Sequence, residues 1–198
     1  MSAALKGLEG ILQSDDPMEW AFENLRHLDS GTAASVFAHP VDSASVVRVS
    51  GYPDGWFLYA DQIMSASEDD TQRSPFAPEV EWIGEINGVF VAVCERLDRI
   101  EYGSPLSDTV ETLIEAILAG KREELDSLES QLPGFSSFLM GLDNRLDLRS
   151  DNFMRRGSAL VFNDPYSCIP FAMEHNFRAR FRVEDQTGND NAPGPVFS

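Results

Sequence analysis

Asp147-Leu-Arg-Ser-Asp-Asn152-Phe-Met154, followed by Phe162-Asn-Asp164-Pro165, is the stretch on which the reading of this chain turns. Between its polar groups lie two short apolar runs, Phe153-Met154 and Leu160-Val161-Phe162, joined by Arg155-Arg-Gly157-Ser158. Apolar runs of this length around a glycine-containing turn predict a hairpin. Such a hairpin holds Asn152 and Asp164 near one another, with Asp147 just upstream. Asn, Asp and Pro also form ordinary turns, so the upstream sequence has to support any chemical reading.

The order and spacing of Asp147, Asn152 and Asp164 resemble those of the protein kinases. There one Asp orients the acceptor hydroxyl, an Asn five residues on holds a metal ion, and an Asp after the next hairpin holds metal between the phosphates. Phosphoryl transfer asks a protein mainly for positioning and charge neutralisation, so few residues suffice.

Three upstream segments follow in the order a kinase needs. Leu28-Asp-Ser-Gly31-Thr-Ala-Ala34-Ser-Val36-Phe fits G-x-G-x-x-G-x-V at its second glycine and its valine, with Asp29 and Ala34 at the other glycine positions. Val46-Val-Arg48-Val49 resembles the V-A-I-K strand, with Arg for Lys. Val89-Phe-Val-Ala-Val-Cys94-Glu-Arg-Leu97 reads as a buried strand ending in a polar pair. It resembles the strand and hinge against which adenine lies, with the backbone of roughly Glu95 to Leu97 on the base edge.

Within kinase-like folds the chain resembles the early serine/threonine protein kinases of podophages related to coliphage T-seven, from about residue 25 to about 170. The most telling residues are His39-Pro40 after the covering loop and Asn163-Asp-Pro-Tyr-Ser167, where other kinases carry Asp-Phe-Gly. The resemblance implies a kinase that phosphorylates host proteins in the host cytoplasm during infection, with ATP and Mg²⁺ as ligands. Asp147 would be the base, Asn152 and Asp164 the metal ligands, and Arg48 the phosphate contact. Gly31 would lie in the covering loop, and Glu95 and Leu97 on the adenine.

The sequence departs from the pattern at Arg48, whose planar guanidinium differs from an ammonium, at Asp29, an acid beside the phosphates, and at Arg145-Leu146 before Asp147. A helix acid to pair with Arg48 is expected at Asp61 or Glu68, both of which also read as solvated helix residues. Arg149 suits a phosphate or acceptor contact and equally a salt bridge to Asp151. A pseudokinase that inhibits a host protein through an acidic surface, or that mimics nucleic acid, is the alternative function.

Composition bounds these ideas. The chain of 198 residues carries 33 acids against 15 bases, a formal charge of −18. That favours basic partners and argues against direct binding to nucleic-acid backbones. Cys94 and Cys168 lie in apolar contexts with no C-x-x-C, so a zinc site or disulfide framework is not expected and a reducing cytoplasm fits. No apolar run is long enough to span a membrane, and the N-terminus lacks a signal core. His27, His39 and His175 are scattered and read as structural.

These features predict an α+β, reduced bilobal kinase-like fold. A helical segment covers 1–26, with a helix over 3–13 and a second, short one beginning at Asp15-Asp-Pro17. A β-rich small lobe covers 27–100, with strands near 27–38, 44–50, 79–86 and 88–95, a helix near 54–66, and a turn at Asn87-Gly88. A short helical large lobe covers 101–183, with helices near 107–119 (capped by Asp108 or its neighbours), 121–128 and 135–142, and the catalytic hairpin. The tail 184–198 is polar, turn-rich and expected to be disordered. Glu123, Glu124, Asp126 and Glu129 form an acidic helix face, suited to basic partners or simply solvated. Arg178, Arg180 and Arg182 could meet an acidic substrate or the chain's own acids.

Overall fold

In the small lobe, two adjacent strands alternate side chains between two buried faces, and this alternation sets the whole layer. The computed structural model describes residues 2–67, 74–142 and 146–166. The expectations for Glu68, Arg145, Cys168, His175, the three arginines of 178–182 and the tail lie outside those residues.

Strands β1 (His27–Ser30), β2 (Ser35–Ala38), β3 (Ser45–Ser50), β4 (Val80–Ile86) and β5 (Val89–Glu95) form one antiparallel sheet in the order β1-β2-β3-β5-β4. Because the strand period is two, Val47, Val49, Val91 and Val93 face one side, while Val46, Ala92 and Cys94 face the other. Covered on both faces, β3 and β5 read as near-continuous apolar runs. The β4–β5 turn has positive φ at both Asn87 and Gly88, the type I′ geometry whose twist matches the strands.

The first face is covered by α1 (Glu9–Gln13) and α2 (Pro17–Asn24), through Leu8, Ile11, Ala21 and Leu25. Asp16 caps α2 by accepting from Glu19 N–H at 2.9 Å, and Pro17 takes the first helical position. The helix expected over 3–13 is divided into a 3₁₀ turn, Ala3–Leu5, and α1, because Gly7 adopts φ +82° between them. His39 locks this cover to the sheet. Its Nε2 lies 3.0 Å from Ala4 O while Nδ1 accepts from Asp42 N–H at 3.0 Å, so its ring is occupied structurally.

The second face is covered by α3 (Gly55–Ser67), which brings Trp56, Phe57 and Ala60 onto Val46, Phe90 and Ala92. The large lobe holds α4 (Pro105–Ala119), α5 (Arg122–Gln131) and α6 (Phe135–Met140), then the hairpin of β7 (Phe153–Arg156) and β8 (Ala159–Phe162), which short β6 (Asp98–Arg99) joins. Its core gathers Val110, Leu113, Ala116, Phe135, Phe153 and Phe162. The cap of α4 is Ser104, accepting from Ser107 N–H at 3.2 Å, and not Asp108. Asp108 sits in the first turn, where a negative charge suits the helix dipole.

The result is an α+β protein with a β-rich lobe and a helical lobe, and the segment Glu95–Arg99 passes between them. Among the described residues no helix is long and apolar enough to cross a membrane.

Candidate active site

A cleft of about 1100 Å³ opens between the lobes. Its roof is the β1–β2 hairpin, where Gly31 N–H donates to Ala34 O at 2.9 Å and the Ser50 hydroxyl lies 2.8 Å from Ala33 O. Gly31 needs no special backbone geometry: its φ is unexceptional, and a Cβ there would meet only Ala34 O, at 3.9 Å. Leu28, Val36, Val46 and Cys94 make an apolar slot beneath the roof. Burial pushes the Cys94 thiol up to about 12, so it is an inert core group rather than a nucleophile.

The floor is tied together by the backbone. Asp147 N–H donates to Pro165 O at 2.6 Å, and Asp147 O accepts from Arg149 N–H at 3.0 Å and from Asn152 Nδ2 at 2.8 Å. Asn152 O in turn accepts from the N–H groups of Asn163 and Asp164, at 2.8 and 3.2 Å. Phe153 and Phe162 stack directly behind, with ring centroids 4.1 Å apart and planes 7° from parallel. The structure thus brings Asp147, Asn152 and Asp164 together at one end of the hairpin. Asn152 and Asp164 line the cleft, while Asp147 is not part of its wall.

Arg48 connects roof to floor. Its Nη2 lies 2.5 Å from Asp54 Oδ2 and 3.8 Å from Asp164 Oδ2, and its guanidinium stands 4.9 Å over the Trp56 ring. The partner expected at Asp61 is instead Asp54, two helical turns earlier. Asp54 precedes α3 and accepts Phe57 N–H at 3.2 Å through its other oxygen, so one buried carboxylate caps the helix and holds the cation. A helix N-cap reaches back toward the preceding strand, whereas Asp61 lies further along α3. The turn Tyr52-Pro-Asp54-Gly before an apolar helix was the available sequence signal. Gly55 is required for packing: a Cβ there would fall 2.2 Å from Tyr166 O, so only glycine lets the segment after Asp164 lie on the start of α3.

Asp164 has one buried carboxylate oxygen, Oδ1, without a hydrogen-bond partner. Burial pushes its carboxyl up to about 7. Arg48 pulls it down, and the carboxylates of Asp54, Asp147 and Asp151 push it further up. A half-buried acid among acids, with one buried oxygen that has no hydrogen-bond partner, fits a divalent cation. Among the described residues no three His, Cys, Asp or Glu side chains form a metal cluster. Magnesium does not need one, since one or two protein oxygens plus substrate phosphates and water complete its shell.

The predicted hinge residues lie where β5 leaves the sheet. Glu95 N–H donates to Glu79 O at 2.9 Å and Arg96 N–H to Ala44 O at 2.6 Å. The Glu95 carboxylate takes Arg156 from the hairpin, with Nε at 2.8 Å, and Glu79 N–H at 2.8 Å. Arg156 also donates to Pro75 O and Ala77 O, at 3.2 and 3.0 Å. This clamp between hinge and hairpin was not visible in sequence, because its members are distant along the chain. Asp29, the acid expected beside the phosphates, is ion-paired with Arg99 across the cleft mouth. Arg149 pairs with Asp151 at 2.7 Å, the local bridge that the sequence allowed.

No protein-family profile and no curated protein matches the chain. Its likeness is to solved structures. The Mycobacterium tuberculosis PknI kinase domain is 16% identical with a TM-score of 0.40, over 76% of this chain and 63% of that one. A thermostable mutant of the aminoglycoside phosphotransferase APH(4)-Ia, in apo form, is 19% identical with a TM-score of 0.30, over 48% of this chain and 32% of that one. The chain therefore spans less than two thirds of the length of either neighbour. Its own elements run in the order read from the sequence: a five-stranded sheet with α3 before β4, a connecting segment after β5, then helices and a polar hairpin.

Proposed function

We propose that the cleft binds ATP with Mg²⁺ and that the protein is a serine/threonine protein kinase of the podophage type, acting on host proteins. The observation that carries this reading is the convergence on one cleft end of Asn152, Asp164 with its orphaned oxygen, and Arg48.

Adenine would occupy the slot of Leu28, Val36, Val46 and Cys94. The Glu95 and Arg96 N–H groups are spent on Glu79 and Ala44, so Leu97 is the hinge position whose N–H would meet the base edge, with Glu95 supplying a carbonyl. The open space above Gly31 suits close approach of phosphates under the covering loop. Arg48, steadied by Asp54 and Trp56, would neutralise phosphate charge. Asn152 and Asp164 would hold Mg²⁺, which would supply positive charge to offset the charge developing on the transferred phosphoryl group.

The acceptor hydroxyl would give its proton to the Asp147 carboxylate as its oxygen bonds to the γ-phosphorus. The bond from that phosphorus to the bridging oxygen breaks, and ADP leaves with the electron pair. Asp147 stands off the cleft wall, just before the lining residues Ser150 to Asn152 in sequence, so the acceptor would have to extend beyond the nucleotide pocket to meet it.

A second reading, a pseudokinase that inhibits a host protein, is favoured by one observation: Arg48 stands where kinases use Lys and is already engaged by Asp54. The test is transfer of labelled γ-phosphate from Mg-ATP to the protein itself and to a host lysate, comparing wild type with Asp164→Asn. Label that appears with wild type and vanishes with the variant supports the kinase. No label and no ATP binding overturns it.

A further inference from the structure

Among the described arginines, Arg48, Arg99, Arg149, Arg155 and Arg156 are each ion-paired with a carboxylate. Arg26 and Arg96 form no such pair, and both line a second cavity, of about 380 Å³, on the outer side of the hinge. In a chain of net charge −18, with acids more than twice as numerous as bases, one cavity is thus lined by two exposed arginines that no carboxylate pairs.

No Asp or Glu lines the cavity. The Asp42 carboxylate accepts Ala44 N–H at 2.9 Å and the Ser45 hydroxyl at 2.7 Å, and Ser45 also lies 2.8 Å from Glu81. Glu95, beside Arg96, is taken by Arg156. His39 also lines the cavity, but both its ring nitrogens are occupied, by Ala4 O and by Asp42 N–H. The polar side chains left on the cavity are Arg26, Arg96, Ser43 and Asn24, whose Nδ2 donates to Trp20 O, beside an apolar wall of Leu25 and Val41.

We infer that this cavity is a phosphomonoester site, separate from the nucleotide cleft, taking inorganic phosphate or a phosphorylated side chain. Two guanidinium forks match the charge of a phosphate dianion, and their planar donors match its oxygens. Arg96 stands on the ridge between the cavity and the cleft and lines both, whereas Arg26 lines only the cavity. Arg96 N–H braces the β2–β3 turn through Ala44 O, so an occupant is placed to hold the hinge against that turn. The inference does not depend on the kinase reading.

The test uses the full chain, titrated by calorimetry with inorganic phosphate, with a short phosphoserine peptide and with its unphosphorylated twin. Saturable binding of phosphate or the phosphopeptide, but not of the twin, is expected. Arg26→Gln should weaken it roughly tenfold, and Arg26→Gln with Arg96→Gln further, as expected for lost charge-assisted bonds. ATP binding should be unchanged in Arg26→Gln. Where that variant folds poorly, Arg26→Lys keeps the charge and loses the fork, and should weaken binding less. Peptide binding at least tenfold tighter than phosphate identifies a phosphorylated protein as the source, and equal affinities identify the free anion. Absence of binding, or equal affinity in wild type and Arg26→Gln, overturns the inference.

Discussion

Arg48 and Asp54 form a buried ion pair, 2.5 Å apart, in which the acid also caps the helix that follows it. One carboxylate therefore ties β3 to α3 and positions the cation that faces Asp164 at 3.8 Å. The separation of Arg48 from the hairpin depends on a residue in neither.

Removing that acid leaves the largely buried Arg48 with only the longer contact to Asp164, at 3.8 Å. Asp54→Ala should cost about 3–5 kcal/mol of stability, since breaking a buried pair strands the remaining charge and the cap is lost as well. Urea unfolding measures it. A midpoint within error of wild type would show that the pair is not holding α3.

Asp164 gives stability a pH dependence of definite sign. Its folded-state carboxyl is raised to about 7, above the ordinary value of 3.8. Between those values the folded protein holds a proton that the unfolded chain has released. The contribution is fully present below about pH 4 and is lost as pH rises through about 7, at no more than about 1.4 kcal/mol per pH unit. Asp164→Asn, which cannot ionise, should flatten the fall. Urea midpoints of both proteins at pH 5 and 7.5 would show it, and parallel curves would exclude it.

The clamp of Arg156 on Glu95 predicts that the hairpin and hinge separate when it is cut. Arg156→Ala should lose about 1.5–3 kcal/mol, through the charge-assisted bonds to Glu95 and the stranded carbonyls of Pro75 and Ala77. Arg156→Lys should recover little, because an ammonium cannot serve the carboxylate and two carbonyls from one plane. Hydrogen exchange at Glu95 and Arg96 would report local loosening before global unfolding does.

Tyr59 is buried, and its hydroxyl donates to Phe162 O at 3.0 Å, joining α3 to the strand that leads to Asp164. Tyr59→Phe keeps the ring and leaves that carbonyl unmet, so it should cost about 1–2 kcal/mol. Near-neutral stability in thermal unfolding would mean that another donor takes its place.

Much of the architecture was legible in the sequence because its causes are local. The run Val89–Cys94 has to be a covered strand, Asn87-Gly88 suits the two positive φ angles of a tight hairpin, and Asp16-Pro17 starts a helix by capping chemistry. The grouping of Asp147, Asn152 and Asp164 was legible for the same reason, since a short hairpin and one loop carry all of them. The acidic face was less legible. Of the acids read there, Glu129 accepts Gly134 and Ser136 N–H and Glu124 pairs with Lys121, so both are partly used within the protein.

The sequence by itself determined the period of each strand, the turns, and the local order of the polar groups, because these depend on neighbours within a few residues. Tertiary structure alone decided which acid meets Arg48, that Gly55 must admit Tyr166, that Arg156 holds Glu95, and that Arg26 and Arg96 share a cavity. Each of these joins residues from separate elements. Whether two such side chains meet depends on how the sheet, helix and hairpin pack, and no local pattern in the chain encodes that distance.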